Sequence, residues 1–65
     1  MQDAELIRMA NQIAANLAAL PEAEARAGIA DHLRQFWDPR MRGQWQRILA
    51  ARPAGLHPLL QPEGG

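Results

Sequence analysis

Residues 32–45 read HLRQFWDPRMRGQW, and the Asp38-Pro39 pair inside them decides how the chain divides. Proline biases the residue before it away from helical conformation. Proline itself suits the first turn of a helix, where its missing N–H is not needed. An aspartate just ahead of it can accept from a free N–H of the new helix. Trp37-Asp38-Pro39-Arg40 is therefore the stop of one helix and the start of the next. The same stretch holds both tryptophans and the only phenylalanine of the 65 residues.

Working outward, the downstream helix is expected over Pro39 to about Ala51, with Met41, Trp45, Ile48 and Leu49 on its apolar face. Arg40 and Arg47, two turns apart, share another face. Pro53 and Gly55 close the helix. Upstream, a helix is expected over residues 22–36, with Ala25, Ile29, Leu33 and Phe36 inward and Trp37 at the edge of that stripe. Pro21 opens it, and Glu22 and Glu24 complement its dipole. Gly28 lies mid-helix, where glycine costs about 1 kcal/mol relative to alanine; a close crossing by a neighbouring helix would account for it.

The first helix is expected over about Ala4 to Ala19, with Asp3 as N-cap. Leu6, Ala10, Ile13, Leu17 and Leu20 recur at helical spacing, and Ile7, Ala14 and Ala18 form a shallower second stripe of mostly small residues. After the third helix, GLHPLLQPEGG reads as a tail with one turn at Pro58–Leu60, capped by His57 and pinned by Leu56, Leu59 and Leu60. There is no strand pattern. The reading is all-α: a small three-helix domain over residues 1–60, a short irregular C-terminal segment, and a flexible tail at 61–65.

Composition narrows the chemistry. The chain has no Cys, Ser, Thr, Tyr or Lys, so the nucleophile list shrinks to carboxylates and two histidines. His32 and His57 have no metal-ligand spacing. His32 sits one turn from Phe36 and is read as structural. There is no glycine-rich phosphate loop. No catalytic residue, metal site or cofactor site is expected in this chain. No apolar run approaches the roughly 20 residues that span a bilayer, and MQDAELIRMA lacks the pattern of a secretory signal. A cytoplasmic location without membrane contact is expected.

Formal net charge is zero, but the charges are segregated. Residues 1–31 carry five carboxylates against Arg8 and Arg26; residues 32–52 carry Arg34, Arg40, Arg42, Arg47 and Arg52 against Asp38 alone. Every basic residue is arginine, the type suited to planar, weakly hydrated interface contacts. Nucleic-acid binders usually show a marked basic excess; this chain does not, and no nucleic-acid partner is expected. The aromatic corner admits two readings. Its rings are the core of a small bundle, or one tryptophan and nearby arginines protrude as an interaction hot spot. On the second reading Phe36 and Trp45 point inward, while Trp37, Arg40, Arg47 and Arg34 face a partner.

Three stretches read together carry a family resemblance: LIRMANQIAANLAAL (6–20), AGIADHLRQFWDPRMRGQ (27–44) and GLHPL (55–59). In this order they resemble the delta subunit of bacterial NAD-dependent, molybdenum-containing formate dehydrogenases, over roughly Leu6 to Leu60. The most specific parts are Arg8 to Ala14 and His32 to Met41; Trp45 has no matched position. The resemblance implies a non-catalytic accessory subunit of a cytoplasmic complex. Its large alpha subunit would hold the molybdenum bis-guanine-dinucleotide cofactor, and iron–sulfur clusters, FMN and NAD would serve electron transfer in partner subunits. The delta subunit would dock on the alpha subunit and support its assembly or cofactor loading. Independently of the resemblance, the small size and the apolar Ile7, Ala14 and Ala18 outside the main stripe predict that the isolated chain is marginally stable or self-associates. The rival reading is a stand-alone helical regulator that binds DNA or another protein.

Overall fold

Proline and capping chemistry cut the chain at two places. The computed structural model describes residues 2–61. Three helices follow in order, α1 (Asp3–Leu17), α2 (Glu22–Phe36) and α3 (Pro39–Ala51), then a single 3-10 turn at Pro58–Leu60. Among the described residues there is no strand. The all-α, three-helix architecture with a short irregular C-terminal segment is the one the sequence predicts.

α1 starts one residue earlier than expected. Gln2 is its N-cap, with no side-chain cap bond. Asp3 lies inside the first turn instead, and its carboxylate accepts from Gln44 Nε2 at 2.8 Å. The helix also ends sooner, at Leu17, with the N–H groups of Ala18 and Leu20 turning back to Ala15 and Leu17. Leu20, assigned by spacing to the apolar stripe, therefore lies beyond the helix and is 43% exposed. Ala14, assigned to a shallower stripe, is instead fully buried beside Leu6 and Ala10. Ala18 is exposed.

The buried line of α1 is thus Leu6–Ala10–Ala14, one residue per turn at a spacing of four. Alanine at two of these points leaves room for neighbouring helices. α1 is the central element, packing against α2, α3 and the 3-10 turn. At the α1–α2 crossing, a Cβ on Gly28 would lie 3.1 Å from Leu17 Cδ1. The mid-helix glycine therefore does mark a close approach.

α2 also buries a row at constant spacing of four: Ala25, Ile29, Leu33 and Trp37. This corrects the expected roles of the two adjacent aromatics. Trp37 is 4% exposed and Phe36 is 69% exposed. Two causes act together. A row spaced by four drifts about 40° round the helix at each step, so by the last turn the buried line has moved away from Phe36. In addition, Trp37 is the C-cap, with extended backbone at φ −98° and ψ 135°. The helix therefore ends at Phe36, and the next position by four in the row is the cap itself.

The expected stop and start at Asp38-Pro39 is present. Asp38 Oδ1 accepts from the Met41 N–H at 2.8 Å, and Pro39 is the first residue of α3. α3 buries Trp45 and Ile48 and half-buries Met41 and Leu49. It ends at Arg52, whose left-handed backbone (φ 49°) forms the C-cap. The chain then folds back so that Leu56 and Leu60 enter the common core, with Leu59 packed against it. Gln61, the first residue of the expected flexible tail, is held in place: its Nε2 donates to Leu56 O at 3.1 Å. The rest of that tail, 62–65, lies outside the described residues.

Candidate interaction surface

The α2–α3 corner is built from the inside by the two indoles. Trp37 and Trp45 meet edge to face, with centroids 5.9 Å apart and planes at 83°. This geometry sets the positive edge of one ring against the negative face of the other. Trp37 is therefore a fixed part of the core and offers no surface to a partner. Its place on the outside is taken by Phe36, which sequence spacing assigned to the interior. Phe36 lies over the imidazole of His32, one turn earlier, with centroids 4.7 Å apart and planes tilted by 39°.

The three arginines expected to face a partner are all exposed. Arg40 lies in the first turn of α3, close in sequence to Phe36. Arg47 lies two turns on, along the same helix. Arg34, on α2, donates through Nη2 to Asp31 Oδ1 at 2.6 Å. Both side chains of that pair are more than half exposed, where ion pairs contribute little to stability. Phe36 and these arginines are thus exposed on α2 and α3, and both residue types are enriched at protein interfaces.

A groove of about 340 Å³ runs between α2 and α3. It is lined by the buried Ile29, Leu33, Trp45 and Leu60 and by the half-buried Leu49 and Leu59. Arg34 rims it on α2 and Arg42 on α3. Residue spacing did not reveal this groove. It lies where α2 and α3 both pack on α1 with few contacts to each other, and the turn packs on α1 and α2.

Two further polar residues escaped the sequence reading. Arg26, on α2, donates to the carbonyl oxygens of Leu59, Gln61 and Pro58 and pairs with Glu22. Asn11, on α1, donates to Gly55 O at 2.8 Å and accepts from the His57 N–H at 2.9 Å. Both hold the C-terminal segment against the helices. His57 has the role predicted for it: its Nδ1 accepts from the Leu59 N–H at 3.1 Å and caps the turn.

Among the described residues no group of three or more His, Asp or Glu side chains is placed to hold a metal ion. Among the described residues no helix is long and apolar enough to cross a membrane. The arrangement is suited to binding another surface: a rigid aromatic corner, exposed cations and an apolar groove.

No curated protein and no solved structure matches the chain. A family model does match it, over residues 5–62, which takes in α1 from its third residue, all of α2 and α3, the corner and the turn. The chain belongs to the family of NADH-dependent formate dehydrogenase delta subunits, FdsD.

Proposed function

We propose that this chain is a non-catalytic accessory subunit of a cytoplasmic NAD-dependent formate dehydrogenase. It docks on the large molybdenum-containing alpha subunit and supports that subunit's assembly or cofactor loading. In this reading the molybdenum cofactor, iron–sulfur clusters, FMN and NAD are held by partner subunits. The chain itself has no cysteine to bind a cluster, and its histidines and carboxylates are not grouped as metal ligands among the described residues.

The observation that carries the docking role is Phe36. Phe36 is 69% exposed, and aromatic side chains together with arginine are the types enriched at protein interfaces. Its ring meets that of His32 at a tilt, it is close in sequence to Arg40, and its chain neighbour Trp37 is fixed in the core against Trp45. The anchor of the docking surface is therefore Phe36 with Arg40, flanked by Arg34 and Arg47, in place of Trp37. The test is co-purification of the large subunit with tagged chain. Phe36→Ala and Arg40→Ala should each reduce recovery severalfold, while helical content measured by circular dichroism stays unchanged. Undiminished recovery with both variants would refute this docking surface.

A further inference from the structure

We propose that the groove between α2 and α3 receives an amphipathic, acidic helix from a partner protein. The apolar stripe of that helix fills the groove, and its carboxylates reach Arg34 and Arg42. This concerns a different surface from the Phe36 corner, and the chemistry of an occupant more than the identity of its owner.

Charge is the first argument. The groove's charged lining residues are all arginines, and no carboxylate lines it. Arg26 is committed to the 3-10 turn. The Arg42 side chain makes no hydrogen bond or ion pair among the described residues. Arg34 uses one nitrogen on Asp31 and keeps other N–H donors of its five. Paired cations on both sides of an apolar floor complement a helix with carboxylates flanking an apolar stripe.

Geometry favours a helix as the occupant. The floor residues Ile29 and Leu33 on one side, and Trp45 and Leu49 on the other, are each spaced by four. They match anchors at i, i+3 or i+4, and i+7 of a third helix. An extended segment would find no ladder partner here, because the groove walls are helices whose backbone groups are already paired. A second copy of this chain is a poor occupant. Among its described residues the exposed large apolar side chains are Leu20 and Phe36, and these do not form a stripe.

The test uses the full chain, ¹⁵N-labelled, and two synthetic helical peptides of about 15 residues, long enough to populate helix. Both carry the same leucine stripe; one has glutamates at the flanking positions and the other lysines. The glutamate peptide should saturably shift the amides of Ala30, Leu33, Gln46 and Leu49, and bind at least about tenfold more tightly than the lysine peptide. The double variant Arg34→Glu, Arg42→Glu should reverse that preference. If that variant loses helical signal, Arg34→Gln with Arg42→Gln should abolish the preference instead. Equal binding of the two peptides, shifts confined to other residues, or no binding would overturn the proposal. So would concentration-dependent groove shifts in the peptide-free chain, which would identify a second copy as the occupant. None of these outcomes depends on whether the large subunit is captured through Phe36.

Discussion

Arg26 Nη1 donates to the carbonyl oxygen of Leu59 at 3.1 Å, joining residues 33 apart in sequence. The same nitrogen donates to Gln61 O at 2.6 Å, and Nη2 donates to Pro58 O at 3.4 Å. One side chain thus satisfies carbonyl groups at the end of a turn that has little regular structure of its own. Hydrogen bonds to a charged donor contribute about 1.5–3 kcal/mol net. Arg26→Ala should therefore destabilise the chain by about that amount in urea denaturation. Arg26→Lys should recover little, because an ammonium lacks the planar fork that spans several acceptors. Full recovery by lysine would show that charge alone, and not the fork, holds the turn.

Asn11 performs the matching task from α1, and the direction of its bonds gives a sharper test. Its amide nitrogen donates to Gly55 O while its oxygen accepts from the His57 N–H. Asn11→Asp keeps the acceptor but sets a carboxylate oxygen against a carbonyl. The expected cost is about 1–3 kcal/mol, that of leaving a polar group unsatisfied. Asn11→Asp should also speed amide hydrogen exchange at Leu59 and Leu60 more than in the middle of α2. Uniform acceleration through the molecule would mean that the turn does not open separately from the helices.

Trp37 and Phe36 should respond oppositely to truncation. Trp37→Ala removes a buried indole and one half of the edge-to-face pair, at a cost of about 3–5 kcal/mol. In a domain of this size that approaches total stability, and the variant should be largely unfolded. Phe36→Ala removes an exposed ring and should change stability by less than about 0.5 kcal/mol. Thermal denaturation of the two single variants decides the matter. Comparable losses would mean that Phe36 contributes to the core despite its exposure.

How much was legible in advance follows from which forces act locally. The break at Asp38-Pro39, the caps at Asp38 and His57 and the apolar face of α3 depend on near neighbours, so residue spacing contains them. The Trp37–Phe36 assignment failed on a subtler point. The row Ala25, Ile29, Leu33 continues by four to Trp37 and by three to Phe36, and helical periodicity allows both. A strict continuation by four would have selected Trp37. Arg26, Asn11 and the groove depend on contacts between distant segments, and no periodicity encodes those. Of the four residues expected to face a partner, Arg34, Arg40 and Arg47 lie on the surface and Trp37 lies in the core.

Gly28 and Leu17 form a pair whose coupling can be measured. Alanine at Gly28 gains helix propensity of about 1 kcal/mol, but its Cβ would press on Leu17 Cδ1 at 3.1 Å. The two effects oppose each other, so Gly28→Ala alone should change stability little. In a Leu17→Ala background the obstruction is gone, and Gly28→Ala should then stabilise by close to its full propensity gain. A double-mutant cycle in urea reads the difference directly. Equal effects in the two backgrounds would show that the glycine is not required by this crossing.

Arg52 gives the opposite kind of prediction, a substitution that should strengthen the fold. It caps α3 in the left-handed region at φ 49°, a conformation that brings the Cβ of an L-residue too close to the following carbonyl oxygen. Glycine has no such penalty and is the usual residue at a helix end of this kind. The Arg52 side chain is exposed and makes no ion pair among the described residues, so its removal forfeits little. Glycine does add freedom to the unfolded chain, which offsets part of the relief. Arg52→Gly should stabilise by up to about 1 kcal/mol, raising the thermal midpoint by as much as roughly 4–8 °C in a domain of this size. Arg52→Ala, which keeps the Cβ, should show no such gain. If alanine stabilised as much as glycine, the benefit would come from deleting the charged side chain and not from relieving the backbone.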